Sequence, residues 1–236
     1  MRDIEFICGF TQNPEGSVLV RFGKTIVLCT VKAEEGVPNF VEDDAGWLTA
    51  EYSMLPGSTY VRKKRRTAAG ELDGRTVEIS RLIGRSLRSC VDLRKLGRMT
   101  LYIDCDVLQA DGGTRTAAIS GASLALRLAV DKLLNNGFLV DDPYTGLVGA
   151  VSVGRVDGRM VCDLSYEQDV RAEIDFNVIM NQQGEFIEIQ GTGEKGTFSE
   201  DELMRMIDAA RKGIEQIFQK QEDSLEAYRR SYTQSW

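Results

Sequence analysis

Apolar and polar positions along the chain change period several times, and each change predicts an element. Residues 17–22 and 25–31 are β-rich runs separated only by Gly23-Lys24, which predicts a hairpin closed by a two-residue turn with glycine first. A strand is expected over residues 46–52, whereas residues 56–70 are polar, basic and without period. From Thr76 to Leu96, the residues Ile79, Leu82, Ile83, Leu87, Cys90 and Val91 recur at helical spacing, with Arg81, Arg85 and Arg88 stacked on a second face. One face would pack and the other would be cationic.

A strand over residues 99–107 then delivers Asp111-Gly112-Gly113 into a second helix. Ile119, Ala122, Leu126, Val130 and Leu133 keep its period, and Asn135-Asn136-Gly137 stops it. Strands follow over residues 147–153, 160–164, 173–180 and 185–190. Ser199 with Glu202 forms a capping box for a last helix that lines up Leu203, Ile207, Ala210, Ile214 and Ile217. Strands and helices cluster rather than alternate strictly, so the pattern predicts an α+β layer fold instead of a doubly wound one. One domain is expected over residues 1–222, with no linker or repeat, followed by a polar and frayed C-terminal tail over 223–236.

Composition narrows the chemistry. With 236 residues, 42% of them hydrophobic, the chain can bury a real core. No apolar run approaches the roughly 18 residues of a membrane span, and Arg2, Asp3 and Glu5 break any leader pattern, which points to the cytoplasm and away from membranes. The five cysteines are scattered singly in apolar runs and are expected to be buried, reduced thiols. Histidine is absent, which excludes Ser-His and Cys-His nucleophilic sites and histidine-bound zinc. Charge is uneven. Residues 61–98 hold twelve Lys or Arg against four acids, a balance of +8, so the rest of a chain of net charge −7 carries −15. One cationic surface on an acidic body suits a phosphate-rich ligand.

Three constellations stand out. Gly112 and Gly113 open a helix whose first amides would face an anion, and Arg115 adds a forked cation at the same place; a plain tight turn is the alternative. Asp169 and Asp175 lie six apart around the start of a strand whose Ile174, Phe176, Val178 and Met180 would share one face, with Asp175 on the other. Such carboxylates suit Mg²⁺ or Mn²⁺ or general acid work, or else form a solvated acidic edge. Arg62, Lys63, Lys64, Arg65 and Arg66 form a basic run suited to tracking a nucleic-acid backbone, although such runs are often only solvated.

Four blocks, residues 46–56, 74–85, 103–117 and 189–194, resemble the ribonuclease PH family of bacterial phosphorolytic 3′ exoribonucleases, or tRNA nucleotidyltransferases, and they run in family order over about residues 2–220. The resemblance implies a fold similar to ribosomal protein S5 domain 2 and a homohexameric ring built as a trimer of dimers. It implies RNA, especially tRNA 3′ ends, as substrate and inorganic phosphate as co-substrate, with nucleoside diphosphates as products of a reversible transfer. It further implies that Arg75, Gly113, Thr114 and Arg115 hold the phosphate. Asp169 and Asp175 would bind the divalent ion and assist departure of the 3′ oxygen, and Arg62 and Arg65 would contact RNA. Two departures qualify this. Gly57 stands where many relatives carry an RNA-binding arginine, which implies a grip on tRNA either weakened or shifted to Lys63, Lys64 and Arg66, and the basic start ahead of the first strand is missing or shortened. A non-catalytic RNA-binding ring subunit of the same fold is the rival reading, and retention of Arg75, Arg115, Asp169 and Asp175 together speaks against it.

Overall fold

The computed structural model describes residues 1–42, 44–65 and 73–233, with side chains through Ser231. Strands β1 (Ile4–Cys8), β2 (Gly16–Phe22), β3 (Thr25–Glu35), β4 (Trp47–Met54) and β5 (Met99–Gln109) form one sheet in the order β1-β2-β3-β5-β4. Its one parallel pair, β4 with β5, is joined through helix α1 (Gly74–Arg88), the crossover that parallel pairing demands. After helix α2 (Thr114–Asn135), strands β6 (Val148–Val156), β7 (Arg159–Cys162), β8 (Ile174–Asn181) and β9 (Phe186–Thr192) make an antiparallel sheet in the order β7-β6-β8-β9. Short helix α3 (Tyr166–Arg171) links β7 to β8, and α4 (Glu200–Thr233) follows β9.

The predicted hairpin is present, with Phe22 opposite Thr25 and Gly23 at a φ of 57°. Strand β1 precedes it and pairs along β2, burying Ile4 and Phe6 while Glu5 faces out. The first helix is shorter than its period suggested. It stops at Arg88, where Ser89 caps it, because Val91 bridges to Tyr144 and Asp92 starts a separate 3-10 turn over Leu93–Leu96.

Helix α2 departs furthest from its one-sided pattern: every residue from Thr116 to Val130 is buried. It runs between the two sheets, packing on β2 and β3 on one side and β6 on the other. Alanine, serine and glycine on the side away from Leu126 let the backbones approach. A Cβ on Gly121 would fall 2.6 Å from Val20 Cγ1 and 2.9 Å from Cys29 Sγ, so glycine is required there. Gln221 of α4, fully buried, donates to Ser120 O at 2.7 Å and to Val148 O at 3.1 Å, tying the last helix to α2 and β6. One large apolar core thus runs through both sheets, with a small separate cluster of Val156, Leu164 and Ala172.

The C-terminal segment does not fray at 223. Leu225 is buried, Tyr228 packs against Gly9 and Arg229 pairs with Asp131 at 2.6 Å, so α4 continues to Thr233. Its start carries the predicted capping box, with Ser199 N donating to Glu202 Oε2 at 2.9 Å and Glu202 N donating to Ser199 Oγ at 3.3 Å. All five cysteines are free; Cys29, Cys90 and Cys105 are buried and Cys8 and Cys162 half-buried. Burial pushes the Cys8 and Cys90 thiols up to about 12, which leaves them protonated and unreactive.

Candidate active site

The site forms where β5 runs into α2. Gly112 and Gly113 both sit in the left-handed region, at φ 76° and 62°, which glycine adopts without strain. Gly113 is the N-cap and supplies no side-chain cap, so the first amides of α2 remain the orphan donors of a helix start, with the helix dipole behind them. The loop's rear is fixed: Asp111 N donates to Thr25 Oγ1 at 2.9 Å, and Thr25 Oγ1 donates to Gly112 O at 2.6 Å. Thr114 is held from the sheet, its Oγ1 lying 2.8 Å from the hydroxyl of Tyr52, whose ring is buried in β4.

Two arginines reach this place from different helices. Arg115 follows Thr114, and its Nη1 donates to Gln190 Oε1 of β9 at 3.1 Å and to Glu78 Oε1 of α1 at 3.4 Å. Arg75 is in the first turn of α1, whose N-cap Asp73 accepts from Arg75 N at 2.9 Å and from Thr76 Oγ1 at 3.0 Å. Both guanidinium groups act on the Tyr52 phenol and on the Asp175 carboxyl, so they converge although 40 residues separate them in sequence.

Asp175 lies in β8, opposite Gly154 on one side and Thr192 on the other. Burial first, and then the neighbouring charge of Asp169, raise its carboxyl to about 6; Arg115 and Arg75 pull the other way, and Glu194 adds to the rise. Asp169 is exposed on α3, which Ser165 and Gln168 start with a reciprocal capping box. Arg75, Arg115 and Asp169 thus all lie close enough to Asp175 to act on its carboxyl, and Arg115 follows directly on Gly113 and Thr114 at the start of α2. The β8 pattern is less one-sided than predicted, since Asn177 and Ile179 are buried along with Phe176 and Val178.

Arg62, Lys63, Lys64 and Arg65 lie in a loop of exposed or half-exposed residues; Arg66 lies outside the described residues. The loop is moored to the site at its base, because Ser58 O accepts from Ala110 N at 2.8 Å and Lys63 N donates to Pro56 O at 3.0 Å. Lys63 also acts on Asp73, the cap of α1, and so stands near Arg75. The cationic face predicted for α1 is partly spent within the protein. Arg85 Nη2 donates to Glu188 Oε1 at 2.7 Å, and Arg88 Nη1 donates to Leu48 O at 3.0 Å with its guanidinium 4.9 Å from the Trp47 ring. Arg81 is exposed.

Several supporting residues carry no local sequence signal of their place beside the site. Gln190 bonds to Arg115 and, through Nε2, to Glu188 Oε1 at 2.9 Å, linking α2, β9 and Arg85 of α1 into one polar network. Tyr52, Glu78, Gln190 and Glu194 all fall inside the sequence blocks quoted above, yet no local spacing marks them as neighbours of the site. Among the described residues, no group of three or more His, Cys, Asp or Glu is placed to hold a metal with protein ligands alone, and no helix is long and apolar enough to cross a membrane.

Residues 1–130 match the model of the 3′ exoribonuclease family, domain 1, and residues 146–213 match domain 2 of that family. The ribonuclease PH of Corynebacterium efficiens is 55% identical over 226 residues, covering 95% of this chain and 92% of its own. That of Corynebacterium kroppenstedtii is 53% identical, covering 95% and 89%. Among solved structures, rice (Oryza sativa) Rrp46 aligns with a TM-score of 0.78 at 16% identity over 96% of this chain and 95% of that one. An Archaeoglobus fulgidus exosome with RNA bound to the active site aligns with a TM-score of 0.75 at 22% identity over 93% and 88%. The two structures speak for a shared α+β fold. The family models and the close relatives, which span nearly the whole chain, go further: the chain belongs to the 3′ exoribonuclease family, in its ribonuclease PH branch.

Proposed function

We propose that this site carries out phosphate-dependent removal of nucleotides from the 3′ end of RNA, with tRNA precursors among the substrates. The observation that carries the reading is the convergence of Arg75, Arg115 and an uncapped helix start on one side with Asp175 on the other. Orthophosphate sits on the amides at Gly113 and Thr114 between the two guanidinium groups, which match its geometry bidentately. One phosphate oxygen forms a bond to the phosphorus of the last phosphodiester, the bond from that phosphorus to the preceding O3′ breaks, and a nucleoside diphosphate leaves. The nucleophile comes from the substrate, so a chain without histidine lacks nothing it needs. The protein brings two polyanions into line and screens their repulsion.

Asp175, with its carboxyl raised to about 6, hands a proton to the departing O3′. In the reverse direction it takes that proton back. When Asp175 is ionised, it and Asp169 are instead the pair that would hold Mg²⁺ or Mn²⁺. Two carboxylates that repel each other fit an ion which keeps several waters and completes its shell with substrate phosphates. Such an ion, when bound, neutralises charge on the phosphates.

Arg62, Lys63, Lys64, Arg65 and Arg66 guide the RNA backbone toward the pocket through sequence-independent phosphate contacts. The working form is a homohexameric ring, a trimer of dimers, in the cytoplasm, as membership of the ribonuclease PH branch implies. The test is product identity. Purified protein given a 3′-tailed tRNA, Mg²⁺ and phosphate is expected to release nucleoside diphosphates at a rate that rises with phosphate. Monophosphate products, or turnover indifferent to phosphate, would contradict it. A measured particle mass tests the hexamer separately.

A further inference from the structure

We propose that Arg2 and Asp163 form a positioning pair that locks the phosphate-binding loop and sets it against the helix carrying Asp169, an inference that rests on the reading of that loop given above. Arg2 Nη2 lies 2.5 Å from Asp163 Oδ1, and Arg2 Nε donates to Asp163 Oδ2 at 3.0 Å, a forked contact completed by the Arg2 backbone N–H at 3.1 Å. The Asp163 side chain is fully enclosed, at 0% exposure, and the Arg2 side chain largely so, at 16%. A pair taken this far from water gains little net stability, because desolvation offsets the Coulomb attraction. Its value lies in what else the guanidinium holds.

That guanidinium also turns back the loop. Arg2 Nη1 donates to Asp111 O and Nη2 reaches Gly112 O at 3.5 Å, the carbonyl that Thr25 already holds. In a trans peptide the N–H points opposite to the C=O, and the described chain has no cis bond. Anchoring the carbonyls of Asp111 and Gly112 at the rear therefore aims the N–H groups of Gly112 and Gly113 forward, away from Arg2. Two successive glycines do not impose this orientation themselves, since they are the least restricted residues in the chain. The lock has to come from outside the loop.

The other end of the pair sits at the root of α3. Asp163 takes a φ of 64°, and its N–H donates to Ser152 O at 2.6 Å. Two residues later Ser165 caps the helix that carries Asp169. A Cβ on Gly112 would meet Leu164 O at 2.5 Å, so loop and helix root are in direct contact. One ion pair thus indexes the phosphate amides against the acidic side of the pocket without touching substrate.

The decisive variant is Arg2→Met combined with Asp163→Asn, which removes the pair without stranding a buried charge and keeps a residue tolerant of a left-handed backbone at 163. In phosphorolysis of a tailed tRNA, this double variant is expected to raise the KM for phosphate about tenfold or more, as misplacement of a positioned group does. RNA affinity measured without phosphate should stay within about twofold, and Arg2→Lys with native Asp163 should fall between wild type and the double variant. Arg115→Ala runs in parallel. An unchanged phosphate KM in a double variant that melts well above the assay temperature, with Arg115→Ala raised, would overturn the positioning role. Losses of phosphate use and RNA binding that merely follow a fall in melting temperature would overturn it as well, by showing a general structural role. If Arg115→Ala also left phosphate KM unchanged, the fault would lie in the anion-site reading itself.

Discussion

Residues 110–115 and the basic loop that carries Arg62 to Arg65 spring from the same patch, since Ala110 N donates to Ser58 O at 2.8 Å, yet the two are held in opposite ways. The first is fixed by Thr25, Tyr52, Gln190 and Arg2 from four different elements or segments, with Thr114 buried and Arg115 half-buried. The second carries its charges in the open, with Tyr60, Arg62, Lys64 and Arg65 exposed. A small symmetric anion demands fixed donors, because recognition and reactivity depend on placement within fractions of an ångström. An RNA backbone of variable sequence demands charge that can adjust. The contrast separates a rigid reacting end from a compliant gripping end, and substitutions can test the division.

The largest effect is expected at Asp175. Asp175→Asn should lower kcat by about 10² to 10⁴, the range for loss of a positioned acid, with RNA affinity close to wild type. The same variant should be more stable than wild type at neutral pH. The folded carboxyl is raised to about 6 from an ordinary 3.8, so the native state binds its proton more tightly than the unfolded chain does. The stabilising contribution is complete below pH 3.8 and is lost as pH rises through 6; above that, wild type carries a charged group its site disfavours. Asparagine removes this penalty, by about 1 to 3 kcal/mol. Denaturant melts in phosphate-free, metal-free buffer at pH 4 and pH 7.5 check it, and a variant no more stable than wild type at pH 7.5 would contradict the burial argument.

Next in size is Arg115→Ala. Removing one donor of a preorganised anion site should lower kcat/KM for phosphate by about 10² to 10³ and leave RNA binding nearly untouched. Steady-state rates over a phosphate series, beside RNA titrations, make the comparison. Equal losses in both would merge the two regions that the structure keeps apart.

The two regions also differed in how they could be read beforehand. Gly112-Gly113 before a helix is a local signal, because positive φ and an uncapped helix start are properties of adjacent residues, and the Gly23 turn was legible for the same reason. Burial on both sides of α2 was not. Leu126 and Val130 announce one apolar face, whereas the opposite face is lined by alanine, serine and glycine, whose role is to let β2 approach, and small residues carry no hydrophobic period. Arg85 and Arg88 looked like free cations because their partners, Glu188 on β9 and Leu48 O on β4, come from distant sequence. The Arg2–Asp163 contact spans 161 residues and leaves no local trace at either end.

A smaller effect is expected inside the rigid region, at Tyr52→Phe. The ring stays packed, while Thr114 Oγ1 loses a 2.8 Å partner in a buried place. One neutral hydrogen bond contributes about 1 kcal/mol, so stability should fall by that amount and the phosphate KM should rise severalfold. Thermal melts and phosphate titrations of the one variant check both. A change in RNA affinity instead would show that Tyr52 serves the gripping end.

The smallest effect on turnover belongs to the basic loop, and there the informative quantity is a slope. Arg62 and Arg65 lie on exposed chain away from the helix start that holds Thr114 and Arg115, so replacing both by alanine should leave kcat at saturating RNA within about twofold. What should change is the dependence of RNA affinity on salt. Each lost phosphate contact to a single strand removes about 0.7 from the slope of log affinity against log salt, so the double variant should flatten it by about 1.4. Weakening should be uniform across RNA sequences, because the contacts read charge and not bases. Binding titrations at several salt concentrations would show it, and a slope identical to wild type's would place the RNA on another surface, Arg81 and the exposed start of α1 being the next to test.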